Sequence, residues 1–227
     1  MPAPDTAAAR EAVAAAARRL AAEGLLIGTA GNVSARVPGS DLLAVTATGV
    51  VLADCGPDQV TVVDPEGAVV AGGLAPTSEL ELHRVVLATS GSGAVVHTHA
   101  PYATAVACVA DALPVLHYQQ LLLGGEVRVA PYATFGSAEL AAGVGEALAG
   151  RSAALMANHG AVNHAASLDA AVEGALLLEW CARLFVNASR LGTPRVLDEA
   201  QQAAVVEAAI TRSYGKTRPV GPAEGTA

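Results

Sequence analysis

Two histidines at the end of an apolar run carry the clearest chemistry in this sequence. His97 and His99 flank Thr98 and follow Ala94-Val95-Val96, a segment that predicts a buried strand. Alternate residues of a strand point to the same face, so the two imidazoles are expected to lie side by side. Burying two imidazoles next to each other is costly unless a ligand binds both. The pair therefore favours a divalent metal site over two structural histidines.

Two further residues are candidates to complete this metal site. Glu79 lies upstream in Pro76-Thr77-Ser78-Glu79, and His159 lies downstream, between Asn158 and Gly160, after another strand-like run. Considered alone, Glu79 could instead be an acidic residue that stabilises the first turn of a helix, and His159 could be a residue of a turn. Three imidazoles and one carboxylate form a donor set that suits Zn²⁺, and other divalent metals accept it too. The remaining candidates lack such a partner and are interpreted as structural or solvent-exposed: Glu81, His83, His117 and His164.

Three short turns of small and polar residues predict a site for an anion. They are Gly31-Asn32, Thr48-Gly49 and Thr77-Ser78, and each supplies backbone N–H or hydroxyl donors. The third precedes a predicted helix, whose N-terminus attracts negative charge. Each turn is weak evidence alone, because turns and caps commonly use these residues. The sequence contains neither Gly-x-Gly-x-x-Gly nor Gly-Lys-Ser/Thr, which argues against a nucleotide-binding loop.

Composition limits the class of protein. The 227 residues are 52% apolar and 15% charged, which indicates a globular protein with one well-filled core. The net charge is −8 and the cations are scattered, so a nucleic-acid partner is not expected. No apolar run approaches the roughly 20 residues that span a bilayer, so no membrane partner is expected either. Three widely separated cysteines are typical of reduced side chains in a cytoplasmic protein.

Lysine usage narrows the chemistry. Lys216 is the only lysine, and it follows Ser213-Tyr214-Gly215 near the end of the sequence. Schiff-base chemistry on a carbonyl substrate needs a lysine buried on a core element, so an imine mechanism is not expected. Any carbanion or enolate chemistry would then need a metal ion as its electron sink.

Helix and strand signals alternate without strict βαβ order. Apolar spacing and capping residues predict helices over about 6–24, 77–89, 102–109, 137–148, 167–188 and 199–212. Strands are predicted over about 42–46, 59–64 with a return at 68–70, 94–99, 115–118, 127–130 and 153–157, and residues 28–36 are interpreted as a polar turn. These elements predict an α/β (α+β) layered fold with a central, mostly antiparallel sheet flanked by helices. A single domain over residues 1–227 is expected, with a mobile tail from about residue 213.

Together these motifs resemble those of the class II aldolase family, which also contains the adducin head domains. The matching stretches occur in the family's order and span about residues 6–215: Gly28-Thr29-Ala30-Gly31-Asn32-Val33-Ser34, Thr48-Gly49, Pro76-Thr77-Ser78-Glu79, Val95-Val96-His97-Thr98-His99-Ala100, Leu116-His117-Tyr118, Ala130-Pro131-Tyr132-Ala133-Thr134-Phe135-Gly136 and Asn158-His159-Gly160. The resemblance implies the family's fold and a carbon–carbon lyase activity.

The resemblance also implies a metal mechanism. Zn²⁺ would be held by His97, His99 and His159, with Glu79 as the fourth ligand until substrate binds. The substrate would be a ketose 1-phosphate similar to L-fuculose 1-phosphate, cleaved reversibly to dihydroxyacetone phosphate and an aldehyde. Substrate oxygens would displace Glu79, which would then act as the general base while Zn²⁺ stabilises the enediolate.

Other roles follow from the same resemblance. The phosphate would bind the residues of the three turns: Gly31, Asn32, Thr48, Gly49, Thr77 and Ser78. Tyr118, contributed by a neighbouring subunit, would handle the proton on the aldehyde-side oxygen. Phe135 and Tyr214 would line the aldehyde pocket. The family's usual homotetramer, with sites between subunits, is expected.

Several alternatives remain open on the same residues. Other sugar-phosphate enzymes share this scaffold, namely 5-deoxyribulose-1-phosphate aldolase, L-ribulose-5-phosphate 4-epimerase and methylthioribulose-1-phosphate dehydratase. A non-catalytic, adducin-like interaction module is a different class, but such modules typically lose metal histidines that this sequence keeps. A structural zinc protein is a third class, in which metal removal would unfold the chain.

Overall fold

The computed structural model describes residues 5–215, in which six α-helices flank one nine-stranded sheet. The helices are α1 (Thr6–Ala22), α2 (Leu80–Ser90), α3 (Pro101–Ala107), α4 (Ala138–Ala147), α5 (Leu168–Leu191) and α6 (Glu199–Arg212). The strands are β1 (Asn32–Arg36), β2 (Leu43–Thr46), β3 (Val60–Val63), β4 (Val69–Ala71), β5 (Ala94–Thr98), β6 (Ala112–Leu113), β7 (Val127–Ala130), β8 (Ala153–Met156) and β9 (Gly160–Ala165). Short 3-10 helices cover Leu52–Asp54, Pro57–Gln59 and Tyr118–Leu123. Lys216 and most of the tail predicted from residue 213 lie outside the described residues.

The sheet is mostly antiparallel, as predicted. Its order is β4-β3-β2-β1-β5-β9-β8-β7-β6. Among the strand pairs of residues 5–215, β7 with β8 is the parallel one, and the others are antiparallel. The central position of β5 means that its end is flanked by β1 on one side and β9 on the other. The predicted fold class is confirmed.

Each face of the sheet packs against its own helices. Residues of α1, α3 and α5 share one buried apolar cluster with the sheet, and α2 and α4 share the other. Along β5, Val96 belongs to the first cluster and Val95 to the second. Because side chains alternate along a strand, His97 lies on the same face as Val95. The first imidazole of the site is therefore directed to the α2 side of the sheet.

The start of α2 differs from the prediction in a way that matters for Glu79. The residue lies at the N-cap position, before the first helical residue, and its side chain makes no capping hydrogen bond. Pro76 bridges to Ala47, and the Thr77 backbone N–H donates to Thr46 O at 3.1 Å, which keeps this segment extended. The prediction that Glu79 lies in the first helical turn was wrong. Its carboxylate is instead directed into the site.

Four assignments of strands were incomplete or wrong, and one of them is the omission of β6. The polar turn predicted within 28–36 contains β1, because pairing with β2 and β5 outweighs the turn preference of Asn and Ser. The sequence reading also missed β9. The strand predicted over 115–118 does not form, because Pro114 lacks an N–H and His117 Nδ1 accepts from the Gln119 N–H at 3.3 Å, which begins a 3-10 helix.

Small aliphatic side chains fill the core. The buried apolar residues are alanine, valine and leucine, with two cysteines and one methionine. Every phenylalanine, tyrosine and tryptophan side chain of residues 5–215 is at least partly exposed. Within the same residues, no helix is both long and apolar enough to cross a membrane.

Candidate metal centre and active site

Three histidines meet where β5 and β8 end and β9 begins. His97 is in β5, His99 follows that strand, and His159 lies in the turn between β8 and β9. Because β5 pairs with β9, that turn lies beside the end of β5. One ring nitrogen from each histidine lies within 4.8 Å of the other two. The structure thus brings together the three imidazoles that were predicted from the sequence to bind a metal.

The turn that carries His159 has strict steric demands. Asn158 has a φ of 56°, in the left-handed region. A Cβ on Gly160 would lie 2.3 Å from Thr98 O and 3.3 Å from a ring carbon of His97. Glycine at this position therefore allows β9 to approach β5 closely enough to place His159 beside the other two imidazoles.

His97 is oriented by a backbone contact. Its Nδ1 lies 3.0 Å from Ala161 O, and a carbonyl oxygen only accepts, so Nδ1 carries the hydrogen. Its Nε2 is thereby directed into the site, 3.0 Å from His99 Nε2. Metal-binding histidines are commonly oriented in this way, with one ring N–H on a backbone carbonyl and the other nitrogen free for the cation.

Glu79 lies against the histidine cluster and is almost completely buried, at 6% exposure. Its Oε2 lies 3.2 Å from His97 Nε2 and accepts from Asn32 Nδ2 at 2.9 Å. Its Oε1 lies 3.6 Å from His159 Nε2 and has no hydrogen-bond partner within residues 5–215. An unpartnered buried carboxylate oxygen is expensive, which suits an atom that binds a cation or carries a proton.

The electrostatics fit a metal site. Burial alone would raise the pKa of Glu79, but His97, the Asn32 amide and His159 outweigh it and lower that pKa to about 2. Burial, followed by repulsion from His97 and His159, lowers the pKa of His99 to about 4. Burial, followed by repulsion from His97, also lowers the pKa of His159. At neutral pH the carboxylate is ionised and these two imidazoles are neutral, which are the states that bind a metal.

A cavity of about 450 Å³ opens over this cluster. Its lining includes every residue predicted to bind an anion: Gly31, Asn32, Thr48, Gly49, Thr77 and Ser78. Glu79, His99, His159 and Phe135 line the same cavity, together with Tyr132, which the sequence reading had not selected. The described lining residues include no arginine or lysine, so an anion there would be held by neutral donors.

Gly31 is required by packing as well as by its position in the cavity. It has a φ of 93°, and a Cβ there would lie 2.5 Å from Leu26 Cδ2 and 2.9 Å from His97 O. The backbone at Gly31 therefore lies closer to the β5 end than any other residue type would allow.

The predicted catalytic residue Tyr118 and the predicted pocket residue Tyr214 lie elsewhere in the chain. The hydroxyls of Tyr118 and Tyr214 are 3.0 Å apart, and both residues line a separate, largely apolar cavity with Leu122 and Ile210. Hydrogen bonding to Tyr214 raises the pKa of Tyr118. Within one chain, neither tyrosine lines the cavity that holds the histidines. Their predicted roles therefore depend on a neighbouring subunit.

Sequence reasoning missed one buried histidine that belongs to the site. His83 is fully buried, its Nε2 is hydrogen-bonded to Asn32 Oδ1, and its Nδ1 lies 2.7 Å from Ser34 Oγ. Burial, followed by repulsion from His97, lowers its pKa to about 3. His83 is four residues after Glu79, the spacing that would put the two on one face of the predicted helix, and that spacing was the available signal.

Comparisons with known proteins identify the family of this chain. Residues 11–186 match the model of the class II aldolase and adducin N-terminal domain family. A 5-methylthioribulose-1-phosphate/5-deoxyribulose-1-phosphate aldolase of Rhodospirillum rubrum is 36% identical over 218 residues, which cover 95% of this chain and 97% of that protein. An L-fuculose phosphate aldolase of Escherichia coli K12 is 35% identical over 187 residues, covering 81% and 86%. A solved structure of L-fuculose 1-phosphate aldolase has a TM-score of 0.84 and 33% identity, covering 88% of this chain and 95% of that one. The family resemblance inferred from the motifs is confirmed.

Proposed function

Because this chain belongs to the class II aldolase and adducin family, and is an aldolase within it, we propose that it reversibly cleaves a ketose 1-phosphate to dihydroxyacetone phosphate and an aldehyde. One observation carries the proposal. The buried, ionised carboxylate of Glu79 leaves Oε1 without a hydrogen-bond partner among residues 5–215, beside three clustered imidazoles. The same cavity is lined by neutral anion donors.

The donor set fits a divalent cation. His97, His99 and His159 would hold it, with Glu79 as a fourth ligand in the resting enzyme, and Zn²⁺ is the first choice for three imidazoles and a carboxylate. When bound, the cation would polarise the ketose carbonyl and stabilise the negative charge that develops on its oxygen. The lowered pKa values of Glu79 and His99 support this assignment, because both groups are then deprotonated at neutral pH.

Glu79 would move one of the two protons that cleavage requires. When the carbon–carbon bond breaks, the hydroxyl on the departing half loses its proton and becomes the aldehyde. The carbon left on the dihydroxyacetone phosphate half gains a proton, so the reaction is balanced without a redox partner. Oε1 of Glu79 would carry the proton to and from that carbon. The partner subunit's Tyr118 would handle the proton on the aldehyde-side oxygen.

The phosphate group would bind the turns around Gly31, Thr48 and Thr77. These turns border the cavity that Glu79, His99 and His159 also line. The substrate's phosphate and its reacting carbons would then share one cavity, which is the positioning that a cleavage reaction needs.

Two classes of ketose 1-phosphate are proposed as the substrate, and they differ in the aldehyde that cleavage releases. The first is L-fuculose 1-phosphate, supported by the 0.84 TM-score to a structure of that name. The second is a 5-methylthioribulose or 5-deoxyribulose 1-phosphate, supported by a relative named for them that matches 95% of this chain. Both proposals share dihydroxyacetone phosphate and the same roles for Glu79 and the histidines.

We also propose a cytoplasmic homotetramer with active sites between subunits. Tyr118 and Tyr214 lie outside the metal cavity of their own chain, so a second chain would have to supply them. Leu122 and Ile210, which border these tyrosines, are 71% and 75% exposed in the single chain, as expected for an apolar surface that another subunit covers.

The proposal is tested by incubating the Zn²⁺-loaded protein with dihydroxyacetone phosphate and a panel of aldehydes, with products identified by mass. We expect addition products whose mass is the sum of the two reactants. An epimerase or a dehydratase would leave this mixture unchanged while converting its own sugar phosphate. A non-catalytic interaction module would convert none of these compounds, and either outcome would contradict the proposal.

A further inference from the structure

Three buried polar side chains connect the core to Glu79. Ser34 and His83 are fully buried, and Asn32 is 4% exposed. Ser34 Oγ lies 2.7 Å from His83 Nδ1, His83 Nε2 is hydrogen-bonded to Asn32 Oδ1, and Asn32 Nδ2 lies 2.9 Å from Glu79 Oε2. We refer to Ser34, His83 and Asn32 as the supporting chain. Each of its side chains contacts the next without a gap.

The hydrogens of the supporting chain have only one consistent arrangement. An ionised carboxylate only accepts, so Asn32 must present its NH₂ group to Glu79 and its carbonyl oxygen to His83. That carbonyl oxygen also only accepts, so Nε2 of His83 carries the ring hydrogen. With its pKa lowered to about 3, the ring is neutral and Nδ1 accepts. The Ser34 hydroxyl is therefore the donor to Nδ1. Reversing any of these bonds would place two donors or two acceptors against each other.

The elements explain why these side chains meet. Asn32 and Ser34 are two residues apart on β1, so they lie on one face of the sheet. Glu79 is the N-cap residue of α2, and His83 follows in the first turn of that helix, with its backbone N–H donating to Glu79 O at 3.4 Å. The strand and the helix therefore contribute alternate members to one hydrogen-bonded row.

We propose that Ser34 and His83 are positioning residues for the reaction, because they hold the Asn32 amide in the one orientation that anchors Oε2 of Glu79. Oε1 is then the oxygen left to exchange protons with substrate. Without the His83 N–H, the amide of Asn32 can turn over and present its oxygen to the carboxylate, which would displace Glu79. The proposal rests on the proposed function for the role of Glu79, but not for the orientation of the hydrogen bonds.

The protein contains a matched control for the Ser34–His83 pair. Ser92 Oγ lies 2.7 Å from His164 Nδ1, and His164 Nε2 lies 2.9 Å from Arg151 O, so this pair has the same serine-to-imidazole arrangement. Neither residue lines the metal cavity. Replacing Ser92 or His164 removes the same kind of contact without touching the supporting chain.

The test compares steady-state kinetics of the Zn²⁺-loaded enzyme and its variants, with bound metal measured in each. We expect His83→Leu to lower kcat by about 10–100-fold, with KM little changed, as for other residues that orient metal-site groups. His83→Gln should recover part of this loss, because its amide can donate to Asn32 Oδ1. Ser34→Ala, which deletes a single oxygen, should also lower kcat. This variant replaces His83→Leu in the test if His83→Leu does not fold. Ser92→Ala and His164→Leu should keep the wild-type kcat.

A second readout does not depend on activity. Nitrogen-15 NMR of histidine-labelled protein should show His83 as the Nε2–H tautomer at neutral pH, and Ser34→Ala should shift it toward a mixture. The Nδ1–H tautomer in the wild type, or an unchanged kcat in fully metal-loaded His83→Leu, would overturn the proposal. A wild-type protein that cleaves no ketose 1-phosphate would instead contradict the proposed function, and the tautomer would still decide the orientation of the supporting chain.

Discussion

Oε2 of Glu79 lies 3.2 Å from Nε2 of His97, which joins the start of α2 to the end of β5. Glu79 precedes α2 and His97 lies in β5, the next element along the chain, and both side chains are buried. A carboxylate held at this distance from an imidazole can share a cation with it, or exchange a proton with a molecule bound between them.

Glu79→Gln should keep the bound metal and lose nearly all cleavage. The substitution preserves the shape of the side chain but removes the negative charge and the ability to accept a proton. A loss of about 10²–10⁴ in kcat is expected for removal of a general base. Turnover numbers and metal content of the two proteins would be measured together. Wild-type turnover in Glu79→Gln would show that another group acts as the base.

Removing the metal should abolish activity without unfolding the protein. The sheet and its two helical layers bury apolar clusters that do not include the histidines, so the fold has support apart from the cation. We expect a chelator-treated sample to lose cleavage, to keep its far-UV circular dichroism and to recover on addition of Zn²⁺. Continued cleavage by metal-free protein would contradict the metal mechanism. Unfolding on metal removal would indicate a structural zinc protein.

Gly160→Ala should damage both stability and metal binding. The new Cβ would lie 2.3 Å from Thr98 O, so β9 would have to move away from β5 and take His159 with it. Overpacking of this kind costs about 1–3 kcal/mol of unfolding free energy. Gly143→Ala is the control, because its Cβ would meet nothing nearer than 3.9 Å. Urea unfolding and zinc titration of the two variants would be compared, and equal zinc affinities would contradict the role given to Gly160.

The unfolding free energy should depend on pH through His83. Its pKa is lowered from 6.5 to about 3 in the folded protein, chiefly by burial. As the pH falls below 6.5, His83 becomes protonated in the unfolded chain but stays neutral in the folded one. The unfolding free energy therefore decreases until the pH nears 3. Metal-free wild type should therefore lose up to about 1.4 kcal/mol per pH unit more than His83→Gln. Parallel pH profiles of urea unfolding for the two proteins would rule this out.

Two inactive variants should complement each other if active sites form between subunits. Tyr118→Phe and Glu79→Gln would each be inactive alone. Mixed oligomers would contain some sites with Glu79 from one chain and Tyr118 from another, because Tyr118 does not line the metal cavity of its own chain. Partial recovery of cleavage after co-refolding is expected. No recovery, despite mixed oligomers detected by native mass spectrometry, would place Tyr118 outside the reaction.

The candidate metal ligands could be identified from the sequence because the ends of strands can be predicted from a local pattern of residues. His97 and His99 follow an apolar run with period-two spacing, and His159 follows another, so their positions could be predicted without knowledge of the fold. Their meeting point could not, because it depends on the pairing of β5 with β9, and β9 was missed. Glu79 and the three anion-donor turns were candidates from their residue types alone, and the family resemblance added the roles of fourth ligand, general base and phosphate site.

The supporting chain was not predictable in the same way. Asn32, Ser34 and Arg36 alternate with apolar residues along β1, which is a strand signal, but Asn and Ser are more typical of turns. In the fold, Asn32 and Ser34 do not face solvent, because His83 covers them. A single sequence does not distinguish a solvated polar face from a buried hydrogen-bonded one, since that difference arises only when α2 packs on β1.

The most direct test of the central claim is hydrogen exchange into dihydroxyacetone phosphate. Zn²⁺-loaded protein would be incubated with this compound in heavy water without any aldehyde, and deuterium at the hydroxymethyl carbon would be followed by proton NMR. We expect exchange of one of the two hydrogens at that carbon, its loss in Glu79→Gln, and its loss again when the metal is removed. Exchange at the wild-type rate in Glu79→Gln would show that Glu79 is not the base, and no exchange in the wild type would show that the protein does not form the enediolate.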